Sequence, residues 1–181
     1  MRPHSYSSEG IVLNRHNFGE ADRILSVYTR TGGRISLMAK GVRRPASRKR
    51  GHIELFNLVR FQAIGGNGMD LMTEAEVVED FKEIRSSLKK ISLAYYFMEV
   101  VNKITHEGES NIELFNLIFS NLEKLKTTKR LKDLRLNFVV NLLILMGYWP
   151  ENKTLPNPDE ELEKVIERQI YSERVGKRLS I

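Results

Sequence analysis

Hydrophobic and polar residues change their spacing near residue 80, and this change divides the chain into two halves. Before it, the apolar residues form short segments rich in Ile, Val, Leu, Phe and Thr, a composition typical of β-strands. Turn residues, mainly Gly and Asn, separate these segments. The pattern predicts five strands, at Gly10–Arg15, Arg23–Thr29, Arg34–Lys40, Ile53–Ile64 and Met69–Val78.

The clearest alternation lies in the third predicted strand. Ile35, Leu37 and Ala39 occupy every second position, so they are expected to face a core while their neighbours point away from it. No helical pattern of about ten residues interrupts the five strands, so strand–helix–strand units are not expected. Five short strands separated by regular turns predict a small closed or nearly closed barrel.

From residue 81 onward, apolar residues recur every three to four positions, which predicts helices. We expect four of them, at residues 81–108, from a cap at Ser110 or Asn111 to about Lys126, from about Arg130 to Met146, and from Asp159 to about Arg178. The sequence therefore predicts an α+β chain with an N-terminal β-barrel domain at residues 1–80 and an all-α helical domain at residues 81–181.

The charge is concentrated in the first third of the chain. Residues 1–60 hold 12 Lys and Arg against four acids, a net charge of +8, whereas the remaining residues have a net charge of −2. Ten of these 12 cations are Arg, whose planar guanidinium pairs with phosphate through two hydrogen bonds. This field favours a polyanionic partner, with nucleic acid ahead of an anionic membrane surface, because no helix is predicted in the basic region.

The strongest single motif is the segment Lys40–Arg50, which carries six cations in eleven residues. Gly41 and Pro45 keep it out of regular structure, so it is expected to form a mobile arm on one rim of the barrel. Such an arm would neutralise phosphates and give sequence-independent, salt-sensitive affinity. The alternative interpretations are a solvated loop that aids solubility and a nuclear localisation signal.

Several short motifs occur in the order found in one known family. They are Gly19-Glu20-Ala21-Asp22-Arg23, Gly33-Arg34-Ile35, the segment from Lys40 to Gly51, Leu71–Glu76, and Leu142–Tyr148. Over roughly residues 7–150 the chain resembles RecO-type recombination mediators. The resemblance implies a five-stranded OB-fold barrel that binds single- and double-stranded DNA, followed by helices. It also implies strand annealing and, with RecR, loading of RecA onto strands covered by single-strand binding protein.

The chain also departs from that family. Many members carry a four-cysteine zinc module after the Gly-Tyr segment, whereas this sequence has no Cys and hence no thiolate metal site or cysteine nucleophile. We therefore expect a short form without metal or cofactor, with a trimmed helical region. The absence of Cys fits a reducing cytosol, and the N-terminal residues lack the apolar stretch of a secretory signal, so the resemblance implies a cytoplasmic, nucleoid-associated protein.

In this family the acidic tail of single-strand binding protein docks on the helical domain. The sequence does not show where on this domain the docking groove for the tail lies. A row of cations offers a positive rim near it: Lys124, Lys126, Lys129, Arg130 and Lys132.

The predicted DNA contacts follow from the basic segment and the strands beside it. The main candidates are Arg34, Lys40, Arg43, Arg44, Arg48, Lys49 and Arg50, and the weaker candidates are Arg15, Arg23 and Phe18. Phe18 lies in a polar turn and is expected to be exposed, where it can stack on a base, whereas the other aromatic residues of the barrel are expected in the core. Asp22 is expected to form an internal ion pair, and Arg23 either pairs with an acid or faces phosphate.

The sequence is also compatible with two other functions. The barrel and arm equally fit an RNA-binding OB-fold protein, since phosphate is common to both nucleic acids. Glu74 and Glu76 share one strand face and would suit Mg²⁺ in a nuclease, but no further acid or His lies at a helpful spacing. We therefore expect a non-enzymatic protein without a small-molecule substrate.

Overall fold

A computed structural model describes residues 5–66 and 68–166 of the chain. Its contacts divide the protein into two compact units. The barrel unit comprises Met1–Asp80 together with Thr105–Asn111, and the helical unit comprises Phe81–Ile104 and Ile112–Ile181. The chain therefore returns to the barrel unit between two helices, which the hydrophobic pattern did not predict.

The barrel unit is a closed five-stranded barrel with the strand order β1-β2-β3-β5-β4, which confirms the predicted fold. β3 and β5 pair in parallel, and the other neighbouring strands pair antiparallel. The strands are β1 (Ser5–Phe18), β2 (Asp22–Thr29), β3 (Gly33–Ala39), β4 (Leu58–Ile64) and β5 (Asp70–Glu79).

Two strands, β1 and β4, differ from the prediction by more than one residue. β1 is longer than its apolar segment because its polar first half pairs with β4 while its second half pairs with β2. The strand predicted from Ile53 begins only at Leu58. Ile53 and Phe56 are instead fully buried in the turns before the strand, and Phe56 adopts a positive φ of 58°. Their hydrophobicity therefore reflects burial in the turns that precede β4.

The barrel core confirms the alternation predicted for β3. Leu37 and Ala39 are fully buried, and Ile35 packs against the same cluster. Two residues outside the strands, Val42 and Ile53, also lie in this core with no exposed surface. Both belong to the connection between β3 and β4, so this connection closes one end of the barrel.

The helical unit contains α1 (Lys82–Arg85), α2 (Leu88–Ile104), α3 (Ile112–Thr127), α4 (Leu131–Leu145) and α5 (Pro158–Val165). The second and third predicted helices are confirmed as α3 and α4. The first is interrupted after α1 and ends at Ile104 rather than Gly108. The fourth ends early, since Ile166 is extended, and the rest of its predicted span lies outside the described residues. None of the helices in the described ranges is long and apolar enough to cross a membrane.

The connection between α2 and α3, residues 105–111, pairs with the start of β3. The Gly108 N–H donates to the Arg34 carbonyl at 2.9 Å, and Arg34 and Glu107 form an isolated β-bridge. Gly33 has a φ of 68°, and a Cβ added there would lie 2.1 Å from the Glu109 carbonyl oxygen. This close approach requires glycine at position 33.

Candidate nucleic-acid interface

The basic segment between β3 and β4, which we call the basic loop (residues 40–52), is folded onto the barrel. The prediction of a mobile arm is therefore wrong. Val42 is buried in the barrel core, the Asp22 carboxylate accepts a hydrogen bond from the Gly41 N–H at 2.7 Å, and the Arg43 N–H donates to the Ala21 carbonyl at 2.9 Å. The predicted ion pair of Asp22 is replaced by this contact to the main chain.

The second half of the basic loop is held against β5. Lys49 Nζ donates to the carbonyl oxygens of Met72 and Thr73 at 3.2 and 3.3 Å. His52 Nδ1 lies 2.7 Å from the Ala75 carbonyl oxygen. The Lys49 ammonium thus fixes the loop, and the charges left for a ligand come mainly from its arginines.

Two arginines lie beside one acid at the end of the barrel that the basic loop closes: Glu54 contacts Arg15 and lies 4.0 Å from Arg23 NH1. Arg43 and Arg50 add positive charge around Arg23, and we call Arg15, Arg23, Arg43 and Arg50, together with Glu54, the arginine cluster. Arg23 follows the alternation of Leu25 and Val27, which are fully buried, so its side chain turns toward the barrel interior. Arg15 lies opposite Leu25 in the register of β1 and β2 and takes the same face.

Arg23 is only partly satisfied in this cluster. Its Nε donates to Asn17 Oδ1 at 3.3 Å, its side chain is 15% exposed, and its NH1 group is buried without a hydrogen-bond partner among the described residues. Glu54 lies 4.0 Å from that NH1 group and contacts Arg15 more closely. Burial, and then the positive charge of Arg15, lower the pKa of Arg23. The charges of Arg50 and Arg43 lower this pKa by smaller amounts, whereas the negative charge of Glu54 raises it. The cluster therefore has a deficit of negative charge.

An open groove of about 770 Å³ lies between the basic loop and the outer face of β4 and β5. Arg44 and Arg48 line its loop side. Both side chains are exposed, and neither they nor Lys40 or Arg50 form an ion pair with an acid in the described ranges. These guanidinium groups are available to an anionic ligand.

The opposite wall of the groove carries acids. Glu74 and Glu76 are exposed on one face of β5, as the alternation predicted, and Arg60 bridges Glu76 at 2.9 Å and Glu9 at 3.5 Å. Within the described ranges, no group of three or more His, Asp or Glu side chains is placed to hold a metal ion.

Arg34 is separated from the other predicted contacts. It is the second residue of β3, whereas Lys40 follows the end of that strand, and six residues of strand span roughly 20 Å. Arg34 lines a second cavity of about 460 Å³ with Asp70 and Glu107. Its Nε is buried without a partner among the described residues, and Glu107 accepts a hydrogen bond from Ser36. The structure thus places Arg34 in an acidic setting at the other end of the strand.

The aromatic residues follow the prediction. Phe18 ends β1 and is 51% exposed, whereas Tyr28, Phe56 and Phe61 are at most 1% exposed. Phe18 is next to the turn that carries Gly19, and the Arg43 side chain donates to the Gly19 carbonyl at 3.1 Å. An exposed ring therefore lies one residue from a contact of the basic loop.

Sequence reasoning missed three participants. Glu54 was counted as one of four acids, although its position directly after the basic segment signals a local partner. His52 and Arg60 line the groove but lie outside the predicted basic segment Lys40–Arg50. Only the pairing of β4 with β5 and the course of the loop bring them there, so no local signal in the sequence would have found them.

The cations of the predicted positive rim in the helical unit are partly neutralised. Lys126 pairs with Glu123 and Arg130 pairs with Asp133, both at 2.7 Å. Elsewhere in this unit Arg135 fastens α4 to α5 through Asp159. Burial would lower the pKa of Arg135, but the hydrogen bonds and charge of Asp159 outweigh it and raise that pKa. This guanidinium serves the packing of the helices.

Comparison with known proteins matches both halves of the chain to one family. The family described as "Recombination protein O N terminal" matches residues 1–81, and "Recombination protein O C terminal" matches residues 85–153. The chain is 34% identical over 161 residues to the DNA repair protein RecO of Dehalococcoides mccartyi strain 195, which covers 89% of this chain and 64% of that protein. It is 39% identical over 145 residues to the Pelotomaculum thermopropionicum protein of the same name, and this match covers 80% of this chain and 56% of that protein.

A third relative extends the match along the chain. The DNA repair protein RecO of Dehalococcoides mccartyi strain BAV1 is 33% identical over 175 residues, covering 97% of this chain and 68% of that protein. The chain thus spans between about half and two thirds of the length of these relatives. Two family matches in chain order and relatives of this similarity show that the chain belongs to the RecO family of DNA repair proteins.

Proposed function

We propose that this chain is a DNA-binding recombination mediator without enzymatic activity, in which residues 1–80 form the nucleic-acid-binding domain and residues 81–181 a helical domain. The observation that carries the proposal is the set of exposed arginines on the basic loop, which have no acidic partner among the described residues, beside an arginine cluster with a deficit of negative charge. Backbone phosphates are the ligands that satisfy such groups.

The geometry favours contact with the strand backbone over reading of bases. Arg44 and Arg48 line a groove that is open to solvent, and the exposed ring of Phe18 offers a surface for stacking of any base. Binding through phosphate contacts and stacking is poorly sequence-selective and weakens steeply with salt. These are the properties that a protein acting on many different DNA strands requires.

The wider role rests on the family. We infer that the protein anneals complementary strands and assists loading of a RecA-type recombinase on DNA covered by single-strand binding protein, with RecR and the acidic tail of single-strand binding protein as partners. The proposal places it with the nucleoid in the cytoplasm and assigns it no cofactor. The DNA repair names of its relatives support this role.

The first experiment measures binding of a fluorescein-labelled oligothymidine by fluorescence anisotropy over a series of salt concentrations. The test variant carries Arg44→Ala, Arg48→Ala and Arg50→Ala, and the control carries Lys89→Ala, Lys153→Ala and Lys164→Ala, three exposed cations of the helical unit. We expect the salt slope of the test variant to fall by roughly two, from three lost phosphate contacts, and that of the control to stay unchanged.

Affinity that hardly responds to salt, or equal losses in both variants, would contradict the proposed interface. Competition with an RNA of matched sequence decides whether the strand is DNA, since tighter RNA binding would favour the RNA-binding alternative. Annealing of complementary strands covered by single-strand binding protein, with and without this chain, tests the mediator role itself.

A further inference from the structure

Glu54 occupies the centre of the arginine cluster. Its carboxylate contacts the Arg15 guanidinium directly and lies 4.0 Å from Arg23 NH1. The side chains of Arg15 and Arg23 are 24% and 15% exposed, and that of Glu54 is 35% exposed. The acid is therefore the most accessible member of this trio and lies on its solvent side.

One carboxylate does not balance the charge around it. Arg43 and Arg50 add their positive charges to those of Arg15 and Arg23, and Arg23 NH1 has no hydrogen-bond partner among the described residues. A carboxylate and a phosphodiester accept the same guanidinium hydrogen bonds, but the phosphodiester belongs to a strand whose neighbouring phosphates can reach Arg44 and Arg48 as well. A bound strand can thus satisfy groups that Glu54 leaves unsatisfied.

We propose that Glu54 is an internal substitute for a backbone phosphate, and that a bound strand places one phosphate on Arg15 and Arg23 in exchange for the Glu54 carboxylate. This inference rests on the proposed function, since it names the residue that competes with the strand for the interface. Arg15 and Arg23 then form one phosphate position, which the chain's own acid occupies in the free protein.

The exchange has a signature that a purely structural role lacks. Without Glu54, the four cations repel one another in the free protein, so stability falls. The strand, however, no longer competes with an internal acid, so its affinity rises. If Glu54 only oriented Arg15 and Arg23, its loss would lower stability and affinity together.

The test compares Glu54→Gln with Glu107→Gln, which removes the same charge at the far end of β3 beside Arg34. Both variants and the unaltered chain are titrated with labelled oligothymidine over a salt series, and thermal unfolding is followed without DNA. We expect Glu54→Gln to bind roughly five- to tenfold more tightly, with a salt slope close to that of the unaltered chain, because the same phosphate occupies Arg15 and Arg23 in both. We expect Glu107→Gln to bind less than about twofold more tightly.

Each outcome is decisive. Tighter binding by Glu54→Gln than by Glu107→Gln, together with earlier unfolding of the free Glu54→Gln variant, supports the exchange. Equal gains in DNA affinity in the two variants mean a general charge effect and overturn the exchange. Weaker binding by Glu54→Gln also overturns it, because the acid then positions the arginines. If Glu54→Gln does not fold, Glu54→Asp replaces it, since the shorter side chain withdraws the carboxylate from Arg15 and Arg23. We expect this variant also to bind DNA more tightly, and unchanged or weaker binding overturns the inference. An unaltered chain that binds no strand overturns the proposed function as well.

Discussion

The two ends of β3 carry similar cations in opposite surroundings. Lys40 leads into the basic loop, where arginines outnumber acids and several have no acidic partner in the described ranges. Arg34, at the other end, shares its cavity with Asp70 and Glu107, and its main chain is paired with residues 107 and 108. A guanidinium is thus part of the proposed interface at one end of the strand and part of a polar, acid-lined cavity at the other.

This difference shows that the net charge of a sequence segment does not tell which part of the protein surface is positively charged. The excess of +8 in residues 1–60 is distributed by the barrel over both of its ends and over the outer face of β4 and β5. There Arg60 is held between Glu9 and Glu76. What decides whether a cation can bind phosphate is the number of acids that the strand register brings next to it.

The largest expected effect is on the docking of residues 105–111 at the Arg34 end. In Gly33→Ala, the added Cβ meets the Glu109 carbonyl oxygen at 2.1 Å and the backbone must keep a positive φ. We expect the free energy of unfolding to fall by about 3 kcal/mol, from a steric clash added to backbone strain. Urea denaturation measures it.

Gly108→Ala is the matched control for this change. It also has a positive φ, of 79°, but its Cβ would meet no atom within 4 Å. We expect a loss of about 1 kcal/mol there, from the backbone conformation alone. Equal losses in the two variants would show that residues 105–111 are not closely packed on β3.

The second prediction compares the cations of the two ends directly. We expect Arg44→Gln with Arg48→Gln to weaken binding of a single strand roughly tenfold, about 1.4 kcal/mol, because two phosphate contacts are lost. Arg30 follows the end of β2 beside Arg34 and pairs with Glu9 at 3.2 Å. Arg30→Gln with Arg34→Gln removes the same charge from this other end and is expected to weaken binding less than about twofold. Fluorescence anisotropy at constant salt measures both, and a reversed order would move the interface to the Arg34 end.

The third prediction concerns the anchor of the basic loop. Asp22→Ala removes the carboxylate that accepts from the Gly41 N–H at 2.7 Å. We expect a loss of about 1 kcal/mol in unfolding free energy, and faster amide hydrogen exchange confined to residues 40–52. Glu20→Ala, an exposed acid two residues earlier, is the control and should change neither quantity. Unchanged exchange in Asp22→Ala would mean that the buried Val42 and the other contacts suffice to hold the loop.

The smallest effect is a dependence on alkaline pH. Burial raises the pKa of Tyr28, whose hydroxyl contacts the Asn111 carbonyl. The unfolded chain releases this proton near the ordinary tyrosine pKa of about 10, while the folded chain retains it, so stability is complete below that pH and falls above it. We expect Tyr28→Phe to lose less stability than the unaltered chain as pH rises above 10 in thermal unfolding. Identical curves would contradict the burial of this hydroxyl.

Most of the barrel was predictable because its strands are short, alternating and separated by turns. Leu37 and Ala39 show why, since a period of two along a half-buried strand is written directly in the sequence. The end of α2 was not predictable, because residues 105–111 leave the helix for tertiary contacts with β3 that no local pattern encodes. Phe56 shows the same limit, since an apolar residue in a buried turn looks like part of a strand.

The candidate interface was predictable in composition but not in geometry. The basic segment identifies most of the cations. Gly41 and Pro45 predict a mobile loop, whereas Val42 between them anchors the loop in the core. Glu54 and Asn17 reach Arg23 only because the ends of β1 and β2 and the basic loop meet. Contacts of this kind depend on strand register and on the path of the loop, and a count of charged residues gives neither.

The most direct test of the proposed interface maps where a strand lies on the barrel. A photo-crosslinking amino acid is placed at Ser47, in the groove beside the basic loop, or at Thr31, in the cavity that contains Arg34. Each protein is irradiated with labelled single-stranded DNA. We expect efficient crosslinking from position 47 that disappears at high salt, and little crosslinking from position 31. Crosslinking mainly from position 31 would contradict binding at the basic loop.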